Sequence, residues 1–90
     1  MKFRLTEEIW KEGCMYVAYC PELDVSSCGE NVQQAKSNLL DTVRINIEET
    51  QKKGTFEQFL EENGFERLGD DDTLSVRGEL VGFTPIQVAV

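Results

Sequence analysis

Cys14, Cys20 and Cys28, with Glu22, Asp24 and Glu30 between and just beyond them, are the first residues of this chain whose types could do chemistry. Thiolates and carboxylates gathered this closely suggest a zinc site or a cysteine nucleophile. The spacing argues against both. Five and seven residues separate successive thiols, so there is no C-x-x-C pair, and the 90 residues contain no histidine. A fourth zinc ligand would have to be a carboxylate, which structural sites seldom use. A cysteine nucleophile would lack its usual imidazole base. The thiols are expected to be reduced, metal-free and buried as small hydrophobes, which fits a cytoplasmic protein. The three acids read as turn carboxylates, because paired-carboxylate catalysis needs a fixed separation that spacing alone does not provide. Glu30 also gains from the dipole of a helix beginning beside it.

A second acidic group, Asp70, Asp71 and Asp72, invites a calcium reading. The calcium loop of an EF-hand needs acids at alternate positions, a central glycine and a later bidentate glutamate. Three consecutive aspartates do not supply that frame and read as a solvated loop. Ser26 and Ser27 have no base, and no phosphate-binding, dinucleotide-binding or nucleophile-elbow motif occurs. Trp10, Tyr16 and Tyr19 are not interleaved with basic residues as single-strand stacking requires. No enzyme constellation and no cofactor site emerge.

Charge points instead to a binding role. Seventeen acids face nine basic residues, a net charge of −8, and Glu57 to Asp72 holds seven acids against Arg67 alone. Such a surface disfavours nucleic acid, whose affinity comes mainly from Lys and Arg, and complements a basic protein. The candidate partner-binding residues are Glu22, Asp24, Glu30, Glu61, Glu62, Asp70, Asp71 and Asp72. The alternative is that the charge serves solubility alone. Ninety residues make one domain, 1–90. No run reaches the roughly 18 apolar residues of a membrane span, and Met1 to Leu5 lacks a signal peptide's apolar stretch.

The elements that must position these residues read as follows. Phe3, Leu5 and Ile9 alternate with polar residues, predicting a half-exposed strand from Lys2 to Trp10. Lys11-Glu12-Gly13 is a hairpin turn. Cys14 to Cys20 is apolar on both faces, as in an interior strand, and Pro21 stops it. A third strand covers about Val25 to Cys28, and Gly29 relieves the backbone at its end. Asn31 caps a helix of about twenty residues, with Gln34 in capping-box register. Its apolar stripe is Val32, Ala35, Leu39, Val43 and Ile47, and Gly54 ends it. A short helix runs to about Asn63, with Gly64 as its left-handed cap and Phe65 folding back on Leu60. After the aspartate loop a possible strand lies near Ser75, and Thr84, Ile86, Val88 and Val90 alternate as a terminal strand. The order β-β-β-α-α-β predicts a two-layer α+β domain, helices on one face of a small mixed sheet. An apolar central strand and an unpaired terminal one predict a homodimer or larger assembly.

Val17-Ala18-Tyr19-Cys20-Pro21-Glu22-Leu23, then Gly29-Glu30 and Ala35 on the helix, resembles the HicB-like antitoxin family over about residues 1 to 53. Where many of its members carry Pro-Gly after the leucine, this chain has Asp24-Val25. The resemblance implies a partial RNase H-like fold without catalysis. It also implies a partner, a small basic RNA-cleaving toxin of the HicA type, silenced by occlusion. Many members add a C-terminal DNA-binding segment. Here the residues after Gly54 are too acidic for one, so direct nucleic-acid binding is not expected. The alternative is a non-catalytic oligomeric module of the same fold, structural or small-ligand-binding, with no toxin partner.

Overall fold

A computed structural model describes residues 1–69 and 72–90. Its elements are β1 (Lys2–Arg4), β2 (Glu8–Glu12), β3 (Met15–Cys20), β4 (Val25–Gly29), α1 (Val32–Lys53), α2 (Phe56–Glu62), β5 (Phe65–Leu68) and β6 (Thr73–Val76). The fold is α+β. Two three-stranded sheets replace the single sheet expected: β2-β3-β4, antiparallel throughout, and β1-β6-β5, in which β1 and β6 are parallel.

The predicted strand from Lys2 to Trp10 is therefore two strands, one in each sheet, separated by Leu5, Thr6 and Glu7. The break has a chemical cause. The Thr6 backbone N–H donates to Glu22 Oε1 at 2.9 Å and its hydroxyl to Glu22 Oε2 at 2.6 Å. A side chain sixteen residues away thus supplies the acceptor that a neighbouring strand would otherwise provide.

β3 is the interior strand of its sheet, and Gly13 makes the hairpin turn before it at φ +62°. Ala18 and Cys20 point to one face, where Ala35, Leu39 and Val43 of α1 bury them in the first core. The helix begins as read: Asn31 accepts from the Gln34 N–H at 2.8 Å, and the Gln34 side chain accepts from the Glu30 N–H. Gly54 closes it in the left-handed region. Gly29 does not relieve the backbone in the sense expected, for its φ is not positive. It provides space instead: a Cβ there would lie 2.6 Å from the Ala35 nitrogen and 2.9 Å from the Gln34 carbonyl carbon.

A second core gathers Leu60, Phe65 and Leu74, with the Phe3 ring edge-on to Phe65 at 5.2 Å. Leu60 and Phe65 share this cluster across the left-handed Gly64, as the capping pattern requires. Phe65 also opens β5, a strand absent from the sequence reading. Leu5 and Leu23 pack against both cores.

The predicted terminal strand is not formed within the chain. From Leu80 onward the backbone has no regular structure, and Phe83, Ile86 and Val88 are 72%, 81% and 72% exposed. Alternation favours a strand only when a neighbour takes up its backbone donors and acceptors, and within the chain the arm pairs with neither β2-β3-β4 nor β1-β6-β5.

Candidate interaction surface

Glu22 stands where β3 has just ended and both of its carboxylate oxygens are engaged by Thr6. Partial burial pushes its acidity down, but the hydroxyl and amide of Thr6 outweigh this and hold the carboxyl below the usual range. Cys20 Sγ lies 3.5 Å from the same carboxylate. Burial, with that negative charge nearby, pushes the Cys20 thiol up to about 11. Protonated at neutral pH and enclosed, it is a core residue with no nucleophilic character.

The other predicted acids among the described residues are solvent-facing and dispersed. Asp24, two residues on, turns away from Thr6 and accepts from the Tyr19 hydroxyl at 2.7 Å. That bond raises the Tyr19 pKa. Asp24 itself occupies the left-handed region at φ 52°, which aspartate tolerates better than most residues. Glu30 lies exposed at the entry to α1, and Glu61 and Glu62 lie exposed on α2, Glu62 accepting from Gln58. Asp72 is tied to Arg67 at 3.2 Å, and Arg67 also reaches Glu57. Asp70 and Asp71 lie outside the described residues. Among the described residues no three His, Cys, Asp or Glu are placed to hold a metal ion. No helix among them is long and apolar enough to cross a membrane.

The expectation of three buried thiols is corrected to one, since Cys14 and Cys28 are exposed. Strand register explains Cys28. Directly opposed residues share a face of a sheet, and the pairs Trp10–Val17, Val17–Cys28, Glu8–Tyr19 and Glu12–Met15 lie opposite the Ala18 face. Trp10, Met15, Val17, Tyr19 and Cys28 thus form an outer face. α1 covers the other side, and α2 packs against α1 and β5.

In the sequence the second apolar face of β3 predicts self-association, and neither Trp10 nor an acidic rim is singled out on it. A strand apolar on both faces, opposed by a tryptophan, has one face more than a single helix can cover. Glu8 and Glu12 flank Trp10 along β2, and Asp24 sits beyond Tyr19, so an apolar centre carries an acidic rim. Trp10 remains 47% exposed, touched edge-on by the Phe83 ring at 6.1 Å. An apolar centre inside an acidic rim is chemically suited to contact with a basic surface.

A second apolar opening lies on the helix side, between β1 and α1. It is a groove of about 500 Å³ walled by Phe3, Leu5, Leu40, Val43 and Ile47. Leu40 is 58% exposed there, although it falls outside the stripe read from the helical spacing. Comparison with family models, curated proteins and solved structures gives no match to this chain.

Proposed function

We propose that this protein is a non-catalytic binding protein that captures a small basic protein on the outer face of β2-β3-β4. In this reading it is a single-domain relative of the HicB-like antitoxins with a partial RNase H-like core, and its partner is a HicA-type RNA-cleaving toxin. The carrying observation is that face: Trp10, Val17 and Met15 left uncovered by the helices, rimmed by Glu8, Glu12 and Asp24. An aromatic anchor in an apolar centre supplies affinity. Acids around it, on a chain of net charge −8, speed encounter with a basic surface and discriminate against acidic ones. Neutralisation is by occlusion and requires no reaction by this chain.

The test mixes this protein in equal amount with a small basic RNA-cleaving protein of the HicA type and follows RNA cleavage. Cleavage is expected to stop, and Trp10→Ala to restore it. Glu8→Lys with Glu12→Lys is expected to slow association, with added salt shrinking the difference. Undiminished cleavage and no complex on a sizing column would refute the reading.

A further inference from the structure

The residues after β6 divide into an anchored root and a free arm. Arg4 pairs with Glu79 at the root, on the β1 side. Phe83 then rests on Trp10, at the middle of β2. Beyond that contact the arm's apolar residues, Ile86 and Val88 among them, lie exposed. From Leu80 to Val90 there is no Asp, Glu, Lys or Arg, on a chain that carries −8 overall.

β2 presents the matching need. It is an edge strand, bonded to β3 on one side only, and Ile9 and Trp10 on it are exposed. An open edge of this kind is a template for another strand. Among the described residues the chain does not use it: Phe83 meets Trp10 through its ring, and β2 has no second ladder.

From these facts we infer that the arm of one molecule adds as a strand to the β2 edge of a second copy, reciprocally, closing a two-fold dimer. Residues 84–90 reach about 23 Å when extended, enough to run the length of the five-residue β2, about 17 Å. Thr84, Ile86, Val88 and Val90 fall on one face of such a strand. Pro85 is tolerated because the added strand becomes the new edge and needs no donor on its outer side. Charge selects the occupant. A basic partner is drawn by acids, whereas an apolar arm without charged side chains lets two molecules of like charge meet without opposing side-chain carboxylates at the contact. Reciprocal exchange satisfies both arms and both edges and leaves nothing to propagate. The inference shares Trp10 with the proposed toxin-binding face but is tested apart from it, since its readout is the mass of this chain alone.

The experiment is light scattering of the full chain at micromolar concentration, with amide exchange read residue by residue. The expected mass is twice 10.2 kDa. Ile86→Asp with Val88→Asp is expected to halve it while leaving the helical dichroism unchanged, because both side chains are exposed in the single chain. In the parent, alternate amides of β2 and of residues 84–90 should exchange at least tenfold more slowly than in the double variant. A monomeric parent overturns the proposal, whether its arm amides exchange freely or are protected by folding onto their own β2. A dimer that survives the double substitution overturns it too, as does an assembly larger than two copies.

Discussion

Gly29→Ala replaces one hydrogen by a methyl group at the place where β4 passes under the first turn of α1. The added carbon meets the Ala35 nitrogen at 2.6 Å, the Gln34 Cβ at 2.8 Å and the Gln34 carbonyl carbon at 2.9 Å. Two of these are backbone atoms of a helix, so no side-chain rotation removes the clash. Relief requires the helix start to move off the strand, against the Asn31–Gln34 cap and the Ala35 packing on Ala18. Overpacking of this kind costs about 1–3 kcal/mol, and a weakened cap adds about 1 kcal/mol. The expected loss is therefore about 2–4 kcal/mol, a large part of the roughly 5–15 kcal/mol that stabilises a domain. Gly13→Ala is the informative comparison: nothing lies within 4 Å of its Cβ, but its φ of +62° imposes a backbone cost of about 1–2 kcal/mol. Urea denaturation of the three proteins at equal concentration, read by helical dichroism, measures the difference. If Gly29→Ala unfolds at the same midpoint as the parent, or is less destabilised than Gly13→Ala, the close passage of β4 under α1 is wrong.

Glu22→Gln keeps an acceptor for Thr6 but loses the charge, so it is expected to cost about 1 kcal/mol at pH 7. Because folding lowers the Glu22 pKa, its contribution is present above the unfolded value and fades as pH falls through the folded one; the variant should show a flatter stability curve below about pH 4.3. The buried Cys20 thiol acts at the other end. Its folded pKa of about 11 leaves stability intact below the unfolded thiol value and removes on the order of 2 kcal/mol as pH climbs towards 11, a loss that Cys20→Ala should lack in alkaline denaturation curves. Leu39→Asp places an unpaired charge in the first core and is expected to unfold the domain at a cost of several kcal/mol. Asp41→Ala, on the exposed side of α1, should stay within about half a kcal/mol of the parent in the same titration.

What was legible in the sequence depended on how local its cause is. Asn31, Gln34, the stripe through Ala35, Leu39 and Val43, and Gly54 all act within one helix, and α1 forms from Val32 to Lys53 accordingly. The left-handed Gly64 between Leu60 and Phe65 is equally local. The break after β1 was not legible, because its cause is a carboxylate sixteen residues distant. Nor was β5: Glu66 and Arg67 are exposed, only Phe65 is buried, and its pairing partner β6 begins only at Thr73. The terminal alternation was visible but met no partner in its own chain. Acidic composition was likewise plain, whereas the division between Glu22, engaged within the fold, and Asp24, Glu30, Glu61 and Glu62, facing solvent, required geometry.

Leu5 and Leu23, shared by the two cores, set how this molecule comes apart. The first core has α1 lying along β3 and β4, while the second holds three buried residues, Leu60, Phe65 and Leu74. Losing α2, β5 and β6 strips one side of Leu5 and Leu23 but leaves α1 on its sheet. Losing α1 removes the cover from β3, dismantles the larger buried cluster and strips the other side of Leu5 and Leu23. Opening is thus expected to be ordered: in amide exchange β5 and β6 should open through a partial unfolding of lower free energy, and β3 and α1 only through the global one.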